Sequence, residues 1–262
     1  MTDFSPPQRS LKHEYELYVE REVERYKDSV PRSVILRIGD DAVAALSAQP
    51  QLALTELMLC GEVDRLIASR LGLSTFRAWR RRHLKALQKY RRPEHWGIRP
   101  DAPLVRAIAA AAESHVLIAG ATEAGPAMYL AANGCAVTAL DGHLDAIDRV
   151  MSAAEAAGLT RRVRGYLTDF RSWVPDAPVD AVLYSPLVFD GLNTDDRADV
   201  IARLQGATTE GGVHLIQSAT AAAVGSDTRL FEELHAQYAG WRTSVERQGD
   251  ARSTFFARKT IA

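Results

Sequence analysis

Only two cysteines, Cys60 and Cys135, occur in 262 residues. They lie far apart in apolar helix-like or turn contexts, which excludes a disulfide framework and a Cys-based zinc site and suits buried free thiols in a reducing cytoplasm. Long hydrophobic runs are missing too: none approaches the length of a membrane span. Residues 1–10 are polar and contain proline, without the apolar core of a secretory signal. The expectation is a cytoplasmic protein with no membrane contact. His115, His143, His214 and His235 are scattered and match no metal-ligand spacing, so no metal site is expected. Neither a G-x-S-x-G elbow nor a P-loop is present. Internal repeats and low-complexity tracts are absent, and the formal net charge is only −1.

What remains is the composition of a folded chain, 47% hydrophobic and 25% charged, long enough for a large domain and a smaller one. Its neutrality conceals an asymmetry. From Arg65 to Arg92 there are ten Lys/Arg and no Asp/Glu, so the rest carries the compensating negative charge. A local field of one sign governs partner choice more than the average does.

Four segments follow from the pattern. Residues 1–10 read as a disordered leader, 11–92 as a helical domain, 93–103 as a linker broken by Pro93, Pro100 and Pro103, and 104–262 as an α/β domain. In the first helix, 11–28, Tyr15, Tyr18, Val19, Val23 and Tyr26 form one stripe, and Pro31 stops it. A short apolar segment at 34–38 precedes a helix from Asp40 or Asp41. Helices are expected at 52–59, 62–71 and 75–90, parted by Gly61 and a turn at 71–74.

Beyond the linker, strands at 116–119, 136–140, 162–167, 179–184 and 213–217 alternate with helices from Pro126, at 145–157, 195–204 and 227–238. A Gly-Asp turn at 249–250 between 243–247 and 253–258 signals a β-hairpin. This rhythm implies a doubly wound, seven-stranded, mostly parallel sheet with a terminal antiparallel hairpin, preceded by an all-α N-terminal domain. Ligands of such sheets bind at the carboxyl ends of the strands, where the strand order reverses.

The run Val116-Leu117-Ile118-Ala119-Gly120-Ala121-Thr122-Glu123-Ala124-Gly125-Pro126-Ala127-Met128-Tyr129-Leu130-Ala131 resembles the first motif of class I S-adenosylmethionine-dependent methyltransferases. The register continues into Val137-Thr138-Ala139-Leu140-Asp141, similar to the family's second strand and its acidic end. Thr168-Asp169-Phe170, Asp180–Ser185 and Thr209–Ile216 resemble the later motifs. Of the family's G-x-G-x-G only Gly120 is kept; Thr122 and Ala124 replace the others, and Ile118 stands where an acidic residue is usual.

The resemblance implies S-adenosylmethionine as cofactor. Gly120, Ala121, Thr122 and Glu123 would form the loop beneath it, Asp141 would accept from the ribose hydroxyls, and Asp169 and the Phe170 N–H would meet the adenine. Tyr184, Ser185 and Asp190 follow the fourth strand, where the family shapes its acceptor site. Ser185 would border the cofactor, and Tyr184 and Asp190 would face the acceptor, Asp190 as a base if a proton must leave.

Ile67–Ser74 resembles the first helix and turn of a helix-turn-helix. The next helix carries Arg77, Arg80, Arg81, Arg82 and Lys85, suited to nucleic-acid phosphates or to docking on an acidic surface. Phe76, Trp79, His83, Leu87 and Tyr90 form its packing stripe; Ala78 and Arg81 stand where a recognition helix buries branched apolar residues. Three readings stay open: a methyltransferase for a small-molecule acceptor, with the N-terminal helices covering the site or forming a homodimer; an inactive methyltransferase-like scaffold that binds a protein or nucleic acid; and a nucleic-acid methyltransferase.

Overall fold

The computed structural model describes residues 10–47, 56–108, 113–121, 123–171, 173–189, 191–217, 224–248 and 252–261. The leader expected over 1–10 lies outside them except for Ser10. Two compact units divide between Ala86 and Leu87.

The first unit contains α1 (Leu11–Ser29), α2 (Arg32–Ser47), α3 (Glu56–Arg70) and the start of α4 (Phe76–Tyr90). Ser10 caps α1 by accepting from the His13 N–H at 3.2 Å, satisfying one orphan donor. The Tyr/Val stripe of α1 is its packing face. Val23 is buried with Ile38 and Ile67, flanked by Val19 and Tyr26. Tyr15 meets Phe76 and Trp79 at centroid distances of 5.5 and 5.6 Å, and its hydroxyl donates to the Ser74 carbonyl.

Two helices differ from expectation. The helix expected from Asp40 begins at Arg32, directly after Pro31, because Ile38 and Ala42, one turn apart, bury one face. The helix α3 runs unbroken through Gly61, where an added Cβ would meet nothing within 4 Å. One interior glycine costs a helix only about 1 kcal/mol, and the packed face around Ile67 offsets it. Residues 52–55 of that expected helix lie outside the described set.

The second unit is built on β1 (His115–Ala119), β2 (Ala136–Asp141), β3 (Val163–Leu167), β4 (Val179–Tyr184), β5 (Thr208–Gln217), β6 (Trp241–Gln248) and β7 (Arg252–Lys259). They form one sheet in the order β3-β2-β1-β4-β5-β7-β6. All pairs from β3 to β5 are parallel, and β7 is antiparallel to both neighbours. Helices cover both faces. On one, α5 (Pro103–Ile108), α6 (Ala124–Ala132) and α7 (Leu144–Ala157) pack in one core with Val116, Ile118, Val137, Ala139, Ala181 and Leu183. On the other, α8 (Thr194–Ala207) and α9 (Val224–Gln237) pack on Leu117, Ala119, Val182, Tyr184 and Ile216.

Strand β5 starts five residues earlier than its apolar run, with a register shift opposite Val179–Ala181. Gly211 at φ 75° and a Gly212 whose Cβ would lie 2.5 Å from Thr208 Cγ2 accommodate that irregularity. Among the described residues no helix is long and apolar enough to cross a membrane.

Candidate functional site

With β1 joined to β2 on one side and β4 on the other, chain connections leave the sheet in opposite directions at the carboxyl end of β1. A cavity of about 800 Å³ opens there. Its wall is assembled from the tips of successive strands: Gly120 after β1, Leu140–His143 after β2, Leu167–Arg171 after β3, and Val188, Gly191 and Leu192 after β4.

Gly120 is required twice over. Its φ is 72°, and an added Cβ would lie 2.6 Å from Val188 Cγ1 and 3.0 Å from Ser185 Cβ. Backbone in that region strains any side chain, and here there is no room for one. The turn is tied to the neighbouring strand by the Gly120 and Ala121 N–H groups, both donating to the Leu140 carbonyl. Gly125 serves the helix rather than the cavity: its Cβ would stand 2.8 Å from the Trp96 carbonyl oxygen.

Asp141 ends β2 with its side chain only 6% exposed. Its Oδ1 accepts from the His143 N–H at 2.9 Å and lies 3.1 Å from His143 Nδ1. Asp169 sits after β3, its two oxygens gripped by Arg171 Nε and Nη2 at 2.7–3.1 Å. The same carboxylate accepts from the Arg171 N–H at 2.9 Å. These charge-assisted bonds hold the Asp169 carboxyl below its ordinary range. Arg171 was not singled out from sequence; an Asp and an Arg two residues apart in a turn were the available signal. Phe170 makes an edge contact with Tyr184 at 6.1 Å between centroids.

The structure thus brings Gly120, Asp141, Asp169 and Phe170 around one cavity. Ala121 is buried beside the loop, Glu123 is exposed at the N-cap of α6, and the Ser185 N–H donates to the Ala119 carbonyl. None of these three lines the cavity. Thr122 and Asp190 lie outside the described residues. Among the described residues no group of His, Cys, Asp and Glu side chains is arranged to hold a metal ion.

Tyr184 requires a correction. Expected at the acceptor, it is 2% exposed and points into the core between the sheet and α8–α9. Its hydroxyl lies 3.1 Å from His214 Nδ1, which also faces the Tyr238 hydroxyl at 2.6 Å. Thr208 Oγ1 donates to the Leu204 carbonyl, so it accepts from His214 Nε2 at 2.8 Å. That fixes the Nε2–H tautomer and leaves the single Nδ1 lone pair to accept from the nearer hydroxyl, that of Tyr238. Burial, with Lys259 nearby, pushes His214 down to about 3, and burial raises both tyrosines. Tyr184 is therefore a buried support behind Phe170 and Phe189, which stacks on it at 5.7 Å.

A sheet in this order, with one reversed strand and its cavity at the carboxyl ends beside β1, defines a class I methyltransferase fold. Within that class, the model of tellurite resistance protein TehB matches residues 97–245. The chain belongs to the TehB family.

No curated protein sequence matches the chain. Among solved structures, TehB from Haemophilus influenzae is 19% identical with a TM-score of 0.48; the match covers 60% of this chain and 61% of that one, less than two thirds of its length. N-methyltransferase NodS from Bradyrhizobium japonicum WM9, in complex with S-adenosyl-l-homocysteine, is 15% identical over 68% of this chain and 97% of that one, with a TM-score of 0.45. An rRNA methylase from Streptococcus thermophilus is 12% identical over 65% and 98%, with a TM-score of 0.49.

Proposed function

We propose that the protein binds S-adenosylmethionine in the cavity beside β1 and transfers its methyl group to a small-molecule acceptor. The observation that carries this reading is the meeting of Gly120, Asp141, Asp169 and Phe170, from three separate strand ends, around one cavity of about 800 Å³. The chemistry of the set suits an adenosyl ligand. Asp141 offers a carboxylate at a strand tip, as ribose-binding acids do. Asp169 offers acceptors for an exocyclic amine, and Phe170, Leu140 and Leu167 supply apolar surface for a flat ring. Gly120 keeps the floor open where any Cβ would collide.

When bound, the cofactor supplies an activated methyl on a sulfonium. The chain's own contribution is alignment and exclusion of water, which an in-line displacement needs most. The cavity volume of about 800 Å³ lies within the range of pockets that enclose small ligands, which supports a bound adenosyl ligand there.

The test is transfer of label from methyl-labelled S-adenosylmethionine in a cell extract fractionated by size. Label in the small-molecule fraction, lost with Asp141→Ala, is the expected result. Label confined to protein or nucleic acid contradicts the small-molecule acceptor. Bound cofactor with no label transferred contradicts methyl transfer.

A further inference from the structure

The helix α4 presents cations that the proposed reaction does not use. Arg77, Arg81, Lys85 and Lys89 recur every fourth residue, so they form one ridge that climbs about 6 Å per step and spans about 18 Å. All four are exposed, as are Arg80, Arg82 and Arg92 around them. Arg82 bonds to Ser74 Oγ. Among the described residues the other six have no acidic partner. Like charges one turn apart destabilise a helix, and no acid in its first turn relieves them.

We propose that this face of α4 docks on duplex DNA through its phosphates. Three observations select that partner. The cations lie on the exposed face of a helix, the element the wide major groove of B-DNA admits, whereas the A-form RNA groove is too narrow to admit one. The helix aromatics are already engaged: Phe76 and Trp79 pack on Tyr15, and Tyr90 packs on Trp96. The exposed face therefore lacks the stacking platform of single-strand binders. Leu84 is the one large apolar side chain of α4 that is exposed, too little for a membrane-surface helix. The ridge contacts the backbone rather than reading bases, since Arg81 occupies a position a base-reading helix would turn inward.

The measurement is anisotropy of a labelled duplex of about 20 base pairs, titrated with the full chain over a salt series. Binding in the micromolar range is expected, with log K falling against log[salt] with a slope of about −3 to −5, near 0.9 per phosphate neutralised. Arg81→Glu/Lys85→Glu should weaken binding at least about tenfold at low salt and make the slope shallower by about two. The neutral variant Arg77→Gln/Arg81→Gln/Lys85→Gln keeps good helix formers and should act in the same direction. Circular dichroism of each variant should match the parent. No binding at low salt, unchanged binding by folded variants, equal or tighter binding of the single strand, or competition by polyglutamate as effective as unlabelled duplex would each overturn the proposal.

Discussion

Gly120→Val loses adenosyl-ligand binding by at least about a hundredfold and lowers stability by roughly 2–4 kcal/mol. Two independent causes combine. The backbone at φ 72° lies where a β-branched residue is strained. The new Cβ would also stand 2.6 Å from Val188 Cγ1 and 3.0 Å from Ser185 Cβ, and neither atom is the far end of a flexible chain. Val188 lines the cavity, so relief of the collision moves the wall that meets the ligand. For a unit of this size the stability loss corresponds to a fall of roughly 5–15 °C in Tm. Gly142→Ala is the contrasting variant: its Cβ meets nothing within 4 Å and its φ is not positive, so its Tm should move by no more than about 2 °C. Equal Tm values for Gly120→Val and the parent would contradict the turn geometry.

The second large effect concerns acid. His214 is completely buried and held neutral, down to about 3 from an ordinary 6.5. The folded value lies below the unfolded one. The neutral ring therefore contributes stability above about pH 6.5, and that contribution is lost progressively as pH falls from there towards 3. By about pH 5 this group alone removes roughly 2 kcal/mol.

His214→Phe removes the titration but leaves the Tyr238 hydroxyl and Thr208 without their partner, a cost of roughly 2–4 kcal/mol at neutral pH. In urea unfolding the variant is thus much weaker than the parent near pH 7.5, and the gap narrows by roughly 2 kcal/mol near pH 5. Acidic groups elsewhere affect both proteins alike, so the difference isolates His214. A gap that stays constant between the two pH values would show that the ring titrates normally in the folded chain.

Much of the α/β unit was legible because strand runs and glycine turns alternate at a regular spacing. The tips of β1, β2 and β3 could be named residue by residue, and Gly120, Asp141, Asp169 and Phe170 do line one cavity. The sidedness of the strands was not legible. In β4, Asp180-Ala181-Val182-Leu183-Tyr184 is almost continuously apolar, as expected of a strand buried on both faces, and carries no alternation to separate them. Ala181 and Leu183 go to one core, Val182 and Tyr184 to the other, which is why Tyr184 was assigned to the acceptor and is found against His214.

The polar network Thr208–His214–Tyr238 joins residues up to 30 positions apart across β5 and the end of α9, and short-range patterns do not report such pairings. In the helical unit, the apolar segment at 34–38 was read apart from its helix because a short apolar run fits a strand or a buried helical turn equally well.

The central claim is an adenosyl-ligand site at the tips of β1, β2 and β3. Calorimetric titration of the purified chain with S-adenosylmethionine and S-adenosylhomocysteine, beside Asp141→Ala, tests it most directly. Micromolar binding of both ligands by the parent, abolished by the substitution in a folded protein, is the predicted result. No heat from the folded parent at high ligand concentration, or equal affinity in the variant, would contradict it.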